Sequence, residues 1–269
     1  MDKRPAIIGD MFDRIAPSYD ILNRVLSISV DRYWRKKTIQ SLSIEGDFLV
    51  LDVATGTGDL ALAALRDTQC RVVGIDLSPG MLEQAARKAG RYVDTNRYFL
   101  INGDAITLPF RDETFDRAMV AFGIRNVARL DMCLDELYRI IKKGGIIAIL
   151  ELSVPSNRFF RRLYLTYFRY VLPVIGGIVS GSTQAYRYLR DSVMDFIPPD
   201  VLLKLLEDRG FTVIDSHPFF MGVSHVYTLK RDEWQSKTTS INYGDAANML
   251  QCGAVRIRRN QRSKGGNVS

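Results

Sequence analysis

The sequence predicts an α/β protein: a seven-stranded, mostly parallel sheet with helices on both faces and an antiparallel hairpin at one edge. Three observations carry that expectation. From residue 48 onward, short β-branched apolar runs alternate with segments of helical spacing, the pattern of a parallel sheet covered on both sides. The alternation is punctuated by residues suited to start or stop helices. The last two apolar runs follow each other closely enough to pair antiparallel.

Taken in order, residues 1–46 read as a helical lid segment, and residues 47–231 as the main domain. "FLVLDV" (48–53), "CRVVGID" (70–76), "RYFLI" (97–101), "FDRAMVAF" (115–122) and "GIIAILEL" (145–152) are its buried strands. "DLALAALRD" and "SPGMLEQAARKA" between them have helical spacing, and Ser78-Pro79 supplies a cap hydroxyl followed by a residue preset for the first turn. Gly144-Gly145 after "DELYRIIKK" is expected to stop a helix before the fifth strand. After Ser153 the rhythm breaks into an aromatic, arginine-rich stretch and "TQAYRYLRDSVMDF", a helical cover over 156–197. "PPDVLLKLLEDRG" is a further helix, and "FTVIDSH" and "VSHVYTLKR" form the edge pair. Residues 232–269 are polar and without periodicity, and read as a disordered tail.

Composition narrows the classes. An apolar content of 46% in 269 residues supports a real core. No stretch of eighteen uncharged apolar residues exists and no secretory signal opens the chain, so a cytoplasmic protein is expected. Cys70, Cys133 and Cys252 lack both zinc spacing and a disulfide framework, and no metal is expected. Of the net charge of +7, four units fall between residues 231 and 269, which leaves the body unremarkable and argues against nucleic acid as a partner.

"LDVATGTGDLA" is a strand, a glycine turn and a helix start, where Gly56 and Gly58 let a ligand approach the backbone. The motif alone fits a dinucleotide as well as S-adenosylmethionine. Carboxylates separate the two. Asp52 inside the strand and Asp59 after the glycines disfavour a diphosphate and favour an ammonium or sulfonium. Asp76, ending the second strand, suits ribose hydroxyls, and Asp104-Ala105 suits an adenine edge beside Leu108, Pro109 and Phe110. Helix capping is the plain alternative for Asp76 and Asp104. The cofactor expected is S-adenosylmethionine, with Asp52, Gly56, Thr57, Gly58, Asp76, Leu77, Asp104, Ala105 and Ala121 as its contacts.

"LDVATGTGD", "GIDLSPGML" and "GDAITLPF" resemble the class I S-adenosylmethionine-dependent methyltransferases, with their Rossmann-like sheet. More narrowly, "YDILNRVLS" with Trp34, "RIIKKGGIIAILELS", "FGIRN" and "YRYL" resemble the quinone-biosynthesis C-methyltransferases that act on demethylmenaquinol and its benzoquinol counterpart. The resemblance covers about residues 10–230. It departs at Asp31, where that family usually has His, and Asp31 is expected to cap the helix leading to Trp34.

What the resemblance implies is C-methylation of a prenylated quinol. A ring carbon becomes nucleophilic once a ring hydroxyl loses its proton, so Arg125, just past the fourth strand, is expected to stabilise a phenolate, with Asn126 orienting a water or ring oxygen. Gly123 would keep a side chain clear of the methyl group. Pairing with a surface carboxylate is the plain alternative for Arg125. Tyr19 and Asp20, on the lid, suit either contact with cofactor and ring or an ordinary helix start. His217 and His225 are expected to be structural. Six arginines between Asn157 and Arg190, with no acid and interleaved with Phe159, Phe160, Tyr164, Tyr167, Phe168 and Tyr170, suit either a transient anionic membrane surface or a cover helix. A homodimer stays open.

Overall fold

The computed structural model describes residues 3–27, 29–90, 92, 95–171 and 183–232. Seven strands form one sheet: β1 (Leu49–Val53), β2 (Arg71–Asp76), β3 (Tyr98–Asn102), β4 (Phe115–Ala121), β5 (Ile141–Leu152), β6 (Phe211–Phe219) and β7 (Ser224–Arg231). Their order is β3-β2-β1-β4-β5-β7-β6. The first five pair in parallel, and β7 runs antiparallel to both β5 and β6. The seven runs read from the sequence are all present, including the edge pair. Strand order reverses direction between β1 and β4, so a crevice opens beyond their carboxyl ends.

Period-two alternation on the central strands feeds two cores. Val50 and Val72 face one side, against Leu60, Ala64 and Leu65 of α4 (Asp59–Asp67) and Ala85 of α5 (Pro79–Ala89). Leu51, Val53, Val73 and Ile75 face the other, against Leu134 and Leu137 of α6 (Leu130–Ile140). Leu202 and Leu206 of α9 (Pro199–Glu207) complete that layer. Ser78 caps α5 as expected, its Oγ accepting from Met81 N–H at 3.0 Å. Cys70 and Cys133 are buried free thiols; Cys252 lies outside the described residues.

One punctuation mark is misplaced in the sequence reading. The sixth helix ends at Ile140 and β5 begins at once, so Gly144 and Gly145 lie inside the strand. Gly144 takes φ +74°, and a Cβ on Gly145 would sit 2.5 Å from Ile141 Cγ2 and 2.9 Å from the Asp116 carbonyl. The pair serves the register shift between β4 and β5 rather than a helix stop.

Three helices precede the sheet: α1 (Pro5–Ile15), α2 (Tyr19–Ser27) and α3 (Asp31–Ser41). The cover is α7 (Arg158–Thr166), a short π-helical turn over Tyr167–Val171, and α8 (Thr183–Met194). The expectation of a disordered tail falls on residues 233–269, outside the described residues.

Candidate active site

Beyond the carboxyl ends of β1 and β4 the backbone turns through two left-handed non-glycine residues, Ala54 (φ +52°) and Phe122 (φ +59°). Such conformations persist only where surrounding structure holds them, and they gather at functional sites. Gly123 follows, and its hydrogen is needed for a reason the sequence did not suggest. A Cβ there would lie 2.5 Å from Ala54 Cβ, so the glycine lets the two strand exits pass each other.

Two cavities meet at this point, sharing Tyr19 and Phe122 in their walls. The inner one is lined by Gly56, Asp76, Leu77, Asp104, Ala105 and Ala121, six of the nine expected cofactor contacts, and by Asn126. Ile75 and Met81 give it apolar walls. Asp76 is held from both sides: Oδ2 accepts from Gly56 N–H at 2.8 Å and Oδ1 from Ser78 N–H at 2.9 Å. Burial pushes its pKa above the usual carboxylate range, against the pull of those bonds. The helix cap is Ser78, so capping does not account for Asp76. Asp104 closes a local turn by accepting from Ile106 N–H at 3.1 Å and lines the cavity.

The remaining three expected contacts stand behind the wall. Asp52 is buried, accepts from Thr55 Oγ at 2.6 Å, and burial pushes its pKa up to about 7. Gly58 takes φ +81° where a Cβ would lie 2.9 Å from the Tyr98 hydroxyl, so it serves helix–sheet packing. Thr57 donates to Asp20 at 2.5 Å. Asp59 is ion-paired with Lys88 and does not crowd the cavity as the sequence reading expected. Leu108 is a core residue, and Phe110 packs on Phe115.

The N-terminal helices close over the crevice through ties that no sequence pattern announced. Asp13 Oδ1 accepts from Ser78 Oγ at 2.5 Å and Gly80 N–H at 2.8 Å. Asp20 joins Thr57 and, at 2.7 Å, Lys88. Lys3 Nζ donates to the Arg125 carbonyl at 2.6 Å. Asp20 therefore acts as a latch between α2 and the glycine loop and reaches neither cavity. Tyr19 reaches both, and burial raises its pKa although Asn23 and Arg125 pull the other way.

The outer cavity encloses about 300 Å³ and is mainly apolar, walled by Trp34, Leu152, Phe168, Leu189 and Val223. Arg125 is its cation. It is buried and paired, but not with a surface carboxylate: Nη1 lies 2.6 Å from Glu151 Oε1 and 2.5 Å from the Phe122 carbonyl. Burial, the largest single influence, works to lower the Arg125 pKa, yet Glu151 and Tyr19 together hold it above its ordinary value. Glu151 also accepts from the backbone N–H groups of Arg125 (3.2 Å) and Leu152 (2.8 Å). A lone acid inside the apolar run "GIIAILEL" was the visible signal for it. Asn126 is fixed by Tyr188, whose hydroxyl donates to its Oδ1 at 3.0 Å; burial pushes the Tyr188 pKa up to about 12.

Asp31 is not the expected cap. Val30 occupies the cap position and Asp31 the first turn of α3, where its carboxylate lines the outer cavity. His225 stacks on Tyr227 and shares a 2.8 Å hydrogen bond with Ser153, and His217 packs edge-on to Phe219.

An inner cavity with fixed carboxylates and apolar walls, at the switch point of this sheet and joined to an apolar chamber, defines a methyltransferase of the S-adenosylmethionine-dependent class. The fold agrees with solved structures. The [4+2]-cyclase SpnF superposes with a TM-score of 0.64 at 17% identity, covering 84% of this chain and 96% of that one. A Haemonchus contortus phosphoethanolamine N-methyltransferase 2, solved with S-adenosyl-L-methionine, gives 0.57 at 14% identity, covering 75% and 53%. The chain belongs to the ubiE/COQ5 methyltransferase family, whose model matches residues 1–230. Its relatives include a ubiquinone/menaquinone biosynthesis C-methyltransferase of Geotalea daltonii, 42% identical over 82% of this chain and 94% of that one. A demethylmenaquinone methyltransferase of Thermus thermophilus is 43% identical over 76% and 92%.

Proposed function

We propose that the protein methylates a ring carbon of a prenylated quinol, demethylmenaquinol first among them, with S-adenosylmethionine as donor. The observation that carries this reading is the junction of the two cavities at Tyr19 and Phe122, with Arg125 in the apolar outer one. When bound, S-adenosylmethionine supplies a sulfonium methyl group, an electrophile able to react with an electron-rich ring carbon.

The chain's own residues do the rest. Asp76 offers a carboxylate with both oxygens already oriented, suited to two adjacent ribose hydroxyls. Leu77, Met81 and Ala105 give an adenine ring apolar contact. The lid, tied down through Asp13, Asp20 and Lys3, keeps water from the crevice. In the outer cavity the Arg125 cation favours loss of the hydroxyl proton and stabilises the phenolate. Its orientation costs nothing at the moment of reaction, because Glu151 and the Phe122 carbonyl already fix it. Asn126, locked by Tyr188, stands on the inner side of the junction, where it can orient a ring oxygen or a water.

The cover accommodates the isoprenoid tail. One face of α7 and the turn after it puts Tyr164, Tyr167 and Phe168 into the outer cavity. The other exposes Phe159, Leu163 and Tyr170 among Arg158, Arg161, Arg162 and Arg169. An amphipathic surface of that kind rests on an anionic bilayer and receives a tail from it. No helix among the described residues is long and apolar enough to cross a membrane.

The test is turnover. Purified protein, S-adenosylmethionine and a chemically reduced short-chain demethylnaphthoquinol should yield a product heavier by one methylene. No such product from naphthoquinol or benzoquinol acceptors would end the reading. Arg125→Ala should bind the donor almost as well as the parent while losing turnover steeply.

A further inference from the structure

The outer cavity has a second charged pole besides Arg125, the Asp31 carboxylate on α3. Asp31 and Trp34 lie one turn apart on α3 and both line the cavity. Asp31 is only 4% exposed. Its carboxylate accepts from Ser27 Oγ at 2.7 Å and stands 3.5 Å from Arg35 Nε. An ionised carboxylate offers about four acceptor positions, so capacity remains. Trp34 is 5% exposed and packed against Phe122 and Phe219, and its Nε1–H has no hydrogen-bond partner. The Tyr164 hydroxyl, in the same cavity and within electrostatic reach of Arg125, is likewise unpartnered.

Buried polar groups in folded proteins are almost always satisfied, and a buried carboxylate with unused acceptor capacity in a cavity wall suits a ligand that donates to it. A ring carrying two oxygens on opposite sides would serve both charges, Arg125 at one and Asp31 at the other.

The two poles ask for different oxygens. Arg125 only donates, so a phenolate or a carbonyl suits it. Asp31 only accepts, so the oxygen beside it must carry a hydrogen. A hydroxyl meets that demand, while a quinone carbonyl would turn its negative end toward a carboxylate. We infer that Asp31 is a specificity-determining residue: it accepts from the ring hydroxyl that Arg125 does not hold, and thereby admits the reduced ring and rejects the oxidised one. This rests on the quinol reading given above and adds to it the residue that reads the ring's oxidation state.

The experiment is anaerobic calorimetric binding to the full-length protein with three probes. These are a short-chain 2-prenyl-1,4-naphthoquinol, its quinone, and the quinol methylated on the oxygen remote from the reacting side. The parent protein should bind the quinol roughly 10- to 100-fold more tightly than either of the others, the span expected for hydrogen bonds to a charged group. In Asp31→Asn, whose amide can turn an N–H toward a carbonyl, the quinol-to-quinone ratio should shrink to within about threefold, with donor affinity unchanged. Equal binding of the three probes by the parent, or an undiminished ratio in a folded Asp31→Asn, overturns the inference. Should that variant fail to fold, the ether comparison on the parent decides alone. Rings that bind without preference while the quinol is methylated sink this inference only; rings that neither bind nor react sink the quinol reading with it.

Discussion

Removing the Glu151 carboxylate separates the structural from the chemical role of Arg125. The side chains of Arg125 and Glu151 are 6% and 1% exposed, and their closest atoms are 2.6 Å apart. Glu151→Ala strands a guanidinium that cannot shed its proton, and it removes the acceptor for two backbone N–H groups. Breaking a buried pair from one side costs about 3–5 kcal/mol. In a domain of this size each kcal/mol moves the melting temperature by about 2–4 °C, so the melt should fall by roughly 6–20 °C. Arg125→Met alone should cost a similar amount, because it leaves the carboxylate unpaired. Arg125→Met combined with Glu151→Gln removes both charges and keeps the volume, and should return to within about 2 kcal/mol of the parent. If Arg125 stabilises a phenolate, this repaired double variant stays inactive. Thermal melts followed by circular dichroism, with methylation of a reduced short-chain naphthoquinol in parallel, read both quantities. A Glu151→Ala melt within about 2 °C of the parent would refute the energetic argument. A stable double variant that turns over normally would refute the chemical one.

Other perturbations address the scaffold around that pair. Gly123→Ala should destabilise by about 1–3 kcal/mol, since its Cβ would sit 2.5 Å from that of Ala54. Ala54→Gly, which removes that Cβ and suits φ +52°, should restore most of the loss in the double variant; failure to do so in denaturant melts would place the clash elsewhere. Asp20→Ala should weaken donor binding by up to about tenfold and leave the rate at saturating donor nearly unchanged, because the latch to Thr57 and Lys88 lies outside both cavities. A fall in that saturated rate of similar size would return Asp20 to the chemistry. Asp52, with a folded pKa of about 7 against an ordinary 3.8, contributes stability that is full below about pH 4 and lost as pH rises through about 7. That loss is on the order of 4 kcal/mol and should vanish in Asp52→Asn; parallel pH–stability curves for parent and variant would contradict it.

The parts legible in the sequence were those written in local pattern. Strand runs, the Ser78 cap and the edge pair follow from alternation and cap chemistry, which act over a few residues. Asp76 and Asp104 were legible as cavity-lining residues for a related reason: a carboxylate at or just past the end of a parallel strand has one crevice to face. Illegible were the contacts joining distant segments, such as Asp13 to Ser78, Lys3 to the Arg125 carbonyl and Tyr188 to Asn126. Asp52 and Gly58 show the same limit from the other side. Both sit in the right motif, yet a shift of one position along the strand or turn moves a side chain from the cavity to the packing layer behind it. The helix stop assigned to Gly144-Gly145 erred because glycine marks a strand irregularity as readily as a helix end.

The relation between the two cavities explains how one scaffold can serve different reactions. A [4+2]-cyclase shares this fold at 17% identity, so the sheet and its crevice do not by themselves define a chemistry. In this chain the floor of the inner cavity is built from strand ends and the first turns after them, positions fixed by the sheet, while α1 and Tyr19 cover it. The outer cavity draws on α2, α3, α7, α8 and the loop before β7, segments the sheet constrains far less. Charge placement follows the same division. The Arg125–Glu151 pair is anchored on the sheet, since Glu151 belongs to β5 and Arg125 to the turn leaving β4. Asp31 and Trp34 arrive with the lid. Changes in acceptor preference should therefore arise from substitutions in α2, α3 and the cover that leave donor affinity intact. Exchanging residues 23–34 for those of a relative with another acceptor, and measuring donor and acceptor affinities separately, tests that division: a transferred acceptor preference at constant donor affinity is expected, and a joint change in both would show the cavities to be one energetic unit.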